Sequence, residues 1–412
     1  MKRINVTILF FTTLILNGSA QEAQQDWGIK FSGFVKTDFI YDTRQSSAAN
    51  SIREGHFFLY PDDVLYDDNM NDLNANPSFH ILNIQTRIRG DIKGPDAFGA
   101  KTSGAIEAEF FGTSESDLNG FRLRHAYVQM EWQKVTLLTG QYWHPMFITE
   151  SFPGTLSFNT GAPFTPFSRN PQIRLTGKLG DIRLSLALYS QRDFVSSGPD
   201  GNNNKYLRNS GMPAMHFQLR VPAGDVFTAW AGVDYKKIRP EIKTSANVET
   251  DVMVGSFSAF ANLKVKTKPV NIAMMGVYSE NASDMAMIGG YGVSEITDPV
   301  NQFVKYTTLN TANVWIDMGT NGKKFTFGLF SGYSKNLGSR DLITGTVYGR
   351  GNNIDHLFRI SPRVMVTEGK LSFAGELEAT SAAYGTSQSD GTVADTHNVT
   401  NLRVLLSAIY RF

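Results

Sequence analysis

No cysteine occurs in the 412 residues, which excludes a disulfide framework and thiolate chemistry on a metal. No stretch beyond the first twenty residues holds 18 consecutive apolar side chains, so no segment reads as a membrane-spanning helix. Charge of one sign is lacking too. Residues 1–20 hold two basic and no acidic side chains, so removing them from 39 Lys+Arg and 38 Asp+Glu leaves 37 against 38, a net −1. A nucleic-acid binder should be clearly basic, so nucleic acid is not an expected partner. Catalytic signatures are missing as well, with no G-x-S-x-G, no H-E-x-x-H and no P-loop. Gly290-Tyr-Gly292 is followed by Glu295 where a dinucleotide fingerprint needs its third glycine. The seven histidines are scattered, and neither His125 nor His144 has a convincing Ser or Asp partner in sequence. No cofactor and no metal is expected, although catalytic groups contributed by separated strands remain an alternative.

What is present is a period of two. From Asn401 to Phe412 one face reads Leu402, Val404, Leu406, Ala408, Tyr410 and Phe412, while Arg403, Ser407 and Arg411 lie on the other. That is a β-strand with one continuous apolar face. Aromatic residues at the end of such a strand suit the interface girdle of a membrane barrel. The segment resembles the closing strand of Gram-negative outer-membrane β-barrels.

At the other end, Lys2 and Arg3 precede an apolar run from Ile4 to Leu16 and the small residues Gly18-Ser19-Ala20. This pattern predicts a secretory signal peptide over residues 1–20, cleaved after Ala20, followed by a barrel over 21–412. The chain is 41% hydrophobic, with a mean hydropathy of −0.22, as expected when alternate barrel residues face water. Its 37 glycines and 29 phenylalanines suit many turns and an aromatic belt.

Alternation predicts about sixteen strands, an all-β transmembrane antiparallel barrel, with fourteen or eighteen also allowed. They fall at 29–43, 79–90, 101–111, 121–132, 134–143, 172–178, 181–190, 213–221, 225–236, 251–266, 269–279, 303–317, 323–334, 355–366, 370–383 and 401–412. In the second, Leu82, Ile84 and Ile88 oppose Asn83, Gln85, Arg87 and Arg89; in the seventh, Ile182, Leu184, Leu186 and Leu188 oppose Arg183, Ser185 and Tyr189. An arginine at the bilayer midplane costs about 2–4 kcal/mol, so the polar faces must line the lumen. The connections alternate in length. Short ones such as Leu179-Gly180 and Thr267-Lys268 separate long ones at 44–78, 112–120, 144–171, 191–212, 237–250, 280–302, 335–354 and 384–400. Short periplasmic turns and long extracellular loops account for this, and the chain is too short for a 22-stranded transporter with a plug domain.

Function is expected in the lumen. The 144–171 connection holds five prolines and five phenylalanines but little charge beyond Glu150 and Arg169. Prolines stiffen it and aromatic rings need packing partners, so it reads as a constriction loop; a lid on the barrel mouth or a subunit contact are the alternatives. Glu107 and Glu109 on the third strand should meet Arg124 and Arg122 on the fourth, either to stabilise the wall or to set a transverse field. Arg87, Arg89, Arg169 and Arg174 lack obvious local carboxylates. Guanidinium rings in a pore favour anions, plausibly carboxylates. In the Asp62–Asn74 segment, Asp67, Asn69 and Asn71 match the start of an EF-hand loop. Asp72 replaces its glycine, however, and Ser78 its glutamate, so a solvated first loop is expected.

Three segments carry a family resemblance: Gly33-Phe-Val-Lys-Thr-Asp-Phe-Ile-Tyr-Asp-Thr-Arg44, Phe121-Arg-Leu-Arg-His-Ala-Tyr127, and Gly140-Gln-Tyr-Trp-His-Pro145 through Ser168-Arg-Asn-Pro-Gln-Ile-Arg174. They resemble the opening and loop regions of Bacteroidota-type porins and are similar to the DcaP-like trimeric outer-membrane channels, most strongly over roughly residues 30–190. The resemblance implies a sixteen-stranded homotrimer in outer-membrane lipid and lipopolysaccharide that passes small organic anions such as dicarboxylates, with lumen arginines selecting. Some members carry a helical coiled coil ahead of the barrel; without one here, trimerisation would fall to walls and loops. The expected function is thus a passive porin, with an outer-membrane enzyme or a plugged structural or adhesive barrel as rivals.

Overall fold

In a computed structural model, residues 27–48, 57–112, 117 and 119–412 are described; the expected signal peptide at 1–20 lies outside them. Sixteen antiparallel strands close into one barrel. In chain order they are β1 (Gly28–Asp42), β2 (Ser78–Leu82, resumed at Arg87–Lys93), β3 (Lys101–Glu109), β4 (Arg122–Glu131), β5 (Val135–Trp143), β6 (Arg169–Leu179), β7 (Ile182–Tyr189) and β8 (Ala214–Ala223). The second half comprises β9 (Phe227–Ile238), β10 (Val254–Lys266), β11 (Val270–Glu280), β12 (Phe303–Thr320), β13 (Phe325–Ser339), β14 (Ile354–Glu368), β15 (Leu371–Ser387) and β16 (Val393–Arg411). Each strand pairs with its neighbours in sequence, and β1 pairs with β16 from Phe34↔Arg411 to Asp42↔Arg403, leaving no free edge.

The alternation falls where the sequence puts it. On β16, Leu402, Leu406, Tyr410 and Phe412 point outward and are exposed, while Arg403 and Ser407 point inward and are buried. Outward aromatics form two belts. Tyr41, Phe79, Tyr235, Phe257, Tyr278 and Tyr333 ring the long-loop end, and Phe31, Phe227, Phe325, Phe373, Tyr410 and Phe412 ring the short-turn end. Leucine, valine and isoleucine fill the band between, as a lipid-facing surface requires.

Two expectations need correction. The second strand is not continuous, because Asn83–Thr86 makes a bulge: Leu82 and Arg87 are five positions apart while their partners Asp38 and Phe34 are four apart. One extra residue reverses the facing of everything beyond it. Ile84 is therefore buried inside the barrel, while Phe79, Ile81 and Ile88 are the outward residues. Nor is 384–400 a long loop. β15 and β16 run on to a tight turn at Gln388–Thr392, closed by a 2.8 Å hydrogen bond from Gln388 N to Thr392 O. Extended hairpins also occupy parts of two other loops, where Gly289–Asp298 pairs with the top of β12 and Val347–Arg350 pairs with that segment. The barrel is consequently uneven in height. β3 to β5 have nine or ten residues each, whereas β12 to β16 have 15 to 19.

Leu406, exposed on β16 between the two belts, tests the assigned facing. Leu406→Arg should destabilise the barrel in lipid vesicles by about 2–4 kcal/mol, read from urea unfolding by tryptophan fluorescence. A change within error would mean that this face does not meet lipid.

Candidate functional site

Between β5 and β6 the chain leaves the wall at His144 and returns at Ser168, and it spends the interval inside the barrel. Phe147, Phe158, Phe164 and Phe167 are buried there. They pack with Phe57 of the first long loop, Phe111 after β3, Phe194 after β7, and Trp315 and Phe330 of the opposite wall. Ring centroids lie 5.1 Å apart for Phe57–Phe167, 4.5 Å for Phe111–Phe158 and 6.1 Å for Phe164–Phe330. Each such burial contributes roughly 1.5–3 kcal/mol. The expected aromatic packing is therefore across the lumen.

A buried loop also needs partners for its backbone, and here the wall's charged side chains supply them. Gly154 N donates to Asp317 (3.1 Å); Leu156 N and Ser157 N donate to the two oxygens of Glu376 (2.8 and 3.1 Å). Lys36 Nζ donates to Leu156 O (2.8 Å) and Arg359 Nη1 to Ala162 O (2.7 Å). Asn159 donates to Glu378 at 3.0 Å. Glu150 is held by Arg220 (2.9 Å), and its carbonyl accepts from Lys264.

Near the loop's root lies the expected charge ladder, and it is denser than local spacing indicated. Register places Arg87 opposite Glu109 and Arg89 opposite Glu107 across β2–β3, and Glu109 opposite Arg122 across β3–β4. A bulge between Glu107 and Ala108 turns both Arg124 and His125 inward. Glu109, fully buried, contacts Arg122 (2.8 Å), Arg87 (3.3 Å), Arg169 (3.3 Å) and Arg124. Glu107 contacts Arg124 (2.7 Å), Arg89 (3.2 Å) and Arg87 (3.6 Å). Three of the four arginines expected to lack carboxylates thus have them. For Arg87 the partners are one strand away, Arg89 pairs with Asp91 (2.7 Å) on its own strand as well as with Glu107, and Arg169 pairs with Glu109 and with Asp193 (2.7 Å) from the connection after β7. Arg174 alone fits the expectation: its guanidinium donates to Gln172 Oε1 (3.0 Å) and Trp143 O (2.9 Å), with no carboxylate in ion-pair range among the described residues.

Strand parity marks further lumen groups that the local reading passed over: Lys36, Arg220, Lys264, Arg363, Glu376 and Glu378. Asp193 had no signal, being a loop residue delivered by tertiary folding. Two cavities flank the loop tip at Gly154–Thr155. One, of ≈ 360 Å³, is bordered by Arg87, Arg89, Tyr142 and Phe152, and the other, of ≈ 380 Å³, by Lys36, Arg363 and Arg411.

Two other clusters gather groups of a kind that chemistry uses. His216 Nδ1 lies 3.1 Å from Asp234, which also accepts from Tyr189 OH (2.7 Å); all three are buried, and Ser258 stands opposite Asp234 in register with no side-chain hydrogen bond to either Asp234 or His216. Among the described residues no group of three or more His, Cys, Asp or Glu is placed to hold a metal. In the first long loop, Asp67 accepts from the Asn71 side chain (3.0 Å) and from the Asn71 and Asn69 amides (2.8 Å each). These bonds hold its carboxyl below the usual range, Asn71 contributing most. The carboxylate caps its own turn.

No protein-family model matches the chain, and no curated protein matches it. Solved structures do. The outer-membrane channel DcaP of Acinetobacter baumannii superposes over 95% of this chain and 99% of its own, with a TM-score of 0.69 and 17% identity. The anion-selective porin of Comamonas acidovorans covers 94% and 100%, at 0.57 and 9%. The outer-membrane OmpT of Vibrio cholerae covers 94% and 98%, at 0.55 and 11%. The likeness is one of fold: the chain shares the closed sixteen-stranded barrel of these outer-membrane proteins.

Glu109→Ala would leave four guanidinium groups around an empty position. It should cost about 3–5 kcal/mol, read as a lowered urea midpoint for the heat-modifiable gel shift; an unchanged midpoint would show the ladder to be dispensable. At the first loop, partial burial pushes the Asp72 carboxyl up, but the Arg44 ion pair (2.6 Å) and the Leu65 and Asn74 amides outweigh it and hold the group below its usual range. A carboxyl lowered in the folded state stabilises above its unfolded value, about 3.9, and loses that contribution as pH falls through the folded one. The protection factors of the Leu65 and Asn74 amides, relative to intrinsic exchange at the same pH, should fall below about pH 4 before those of the barrel strands do. Protection that persists to barrel unfolding would contradict this.

Proposed function

We propose that the protein is a passive outer-membrane diffusion channel that prefers small organic anions, dicarboxylates among them, and that it is not an enzyme. The observation carrying this reading is the positive balance of the lumen wall. Besides the paired arginines, Arg174, Arg183 and Arg411 face inward with no carboxylate in ion-pair range among the described residues. Arg87 and Arg89 keep 21% and 26% of their side-chain surface open. Cationic groups in a narrow water-filled passage raise the local anion concentration. In this reading residues 144–171 act as the constriction, and Arg87, Arg89, Arg169 and Arg174 as selecting groups. Glu107, Glu109, Arg122 and Arg124 stiffen the wall that presents them. Export by residues 1–20, assembly as a homotrimer through the low β3–β5 wall, and contacts with lipid and lipopolysaccharide belong to the same proposal.

A second reading draws on the aromatic cluster under the long loops: a barrel closed by its own loops that conducts nothing. Single-channel recording in planar bilayers separates the two, because discrete steps require an open path. Under a salt gradient the reversal potential should report anion preference. Arg89→Glu and Arg174→Glu should each lower the anion-to-cation permeability ratio by about fivefold, the effect of ~1 kcal/mol between charges about 4 Å apart in water. An unmoved reversal potential would remove both residues from the selecting set.

A further inference from the structure

Three rings stack in a column at the root of the inner loop. Trp143 and Phe147 lie 4.1 Å apart at 19°, and Phe147 and Phe152 lie 5.5 Å apart at 26°. The Arg124 and Arg169 guanidinium groups sit 5.5 and 5.4 Å from the Trp143 ring. Phe147, in the middle, is 4% exposed. The far end is open, with Phe152 46% exposed. Covering Phe147 uses one face of the Phe152 ring. The rest of that ring borders the cavity of ≈ 360 Å³ that Arg87 and Arg89 also border.

An apolar ring facing an aqueous passage is unfavourable unless something covers it. The cavity lies in the size range that holds small organic molecules. One part of its lining is a flat apolar face, which favours another ring in offset stacking. Another part carries the partly exposed side chains of Arg87 and Arg89, which are paired with Glu107 of the same lining and, for Arg89, with Asp91; a guanidinium group matches a carboxylate. A saturated chain could contact Phe152 but could not stack on it.

Resting on the channel reading above, we propose that this cavity is a binding subsite for aromatic monocarboxylates, the ring stacked on Phe152 and the carboxylate held by Arg87 and Arg89. The subsite sorts solutes by ring content as well as charge. Arg87 and Arg89 would bind any carboxylate, whereas Phe152 distinguishes a planar ring from a flexible chain of similar size and equal charge.

Equilibrium dialysis of benzoate and hexanoate against the detergent-solubilised barrel, corrected with empty micelles, tests this without requiring conduction. Benzoate should bind more tightly than hexanoate by about 2- to 10-fold, the range expected of one aromatic pair. Phe152→Leu, which keeps apolar bulk and loses the ring, should bring that ratio close to one. Arg89→Gln should weaken both ligands together and keep the ratio. Equal binding of the two acids by the unaltered protein, or a ratio that survives Phe152→Leu, would overturn the subsite. A folded protein that shows the ratio but no conductance would keep the subsite and discard the channel. Conductance with a ratio of one would do the reverse.

Discussion

Closure of the sheet is the condition on which the rest of this structure depends. In hydrocarbon an unpaired strand edge exposes N–H and C=O groups that nothing can satisfy, at several kcal/mol each. The β1–β16 pairing removes that edge, and its polar side chains lie on the inside. Arg403 meets Asp42 at 2.8 Å, and Ser407 donates to Asp38. Once the ring is closed, alternation leaves two environments for side chains, and each residue type follows its solvent. Arginines and carboxylates on consecutive strands must then share the lumen, so the charge ladder follows from closure as much as from any local motif.

A sixteen-stranded barrel is too wide for its wall side chains to fill. The chain fills part of the lumen with its own loops, and this raises the problem of buried backbone. The inner loop solves it with wall carboxylates and cations, while aromatic rings cover its upper face. Structure and electrostatics are therefore not separable here. Glu109 holds the wall by gathering four arginines, three from adjacent strands and one from the root of the inner loop.

The barrel was legible because a period of two is written into every strand and long connections alternate with short ones. Leu402, Leu406 and Tyr410 face outward as alternation requires, and Leu184, Leu186 and Leu188 do the same on β7. The reading failed where the period is broken. One extra residue at Asn83–Thr86 moved Ile84 to the inside, and nothing nearby in sequence marks that bulge. The site was half legible. Glu107, Glu109, Arg122 and Arg124 could be paired because their strands are adjacent, but Asp193 reaches Arg169 only through the folding of a separate loop. The apparent isolation of Arg87 came from considering a strand alone, when its hydrogen-bonded neighbour carried the partners; Arg89 has one of its partners, Asp91, two residues along its own strand.

The way the inner loop is moored has a consequence for how such a passage can change. At Gly154, Leu156 and Ser157 the wall grips amides of the main chain, and an amide is the same whatever side chain it carries. Substitutions at the tip can therefore alter the lining of the passage while its moorings stay engaged. Gly154 and Leu156 are exceptions, since a β-carbon at Gly154 would come within 2.8 Å of Arg363 and the Leu156 side chain is buried against Ile40, Leu405 and Ile409. The barrel is a fixed frame around a replaceable lining, whose surface can be altered by single steps that do not require the frame to fold anew.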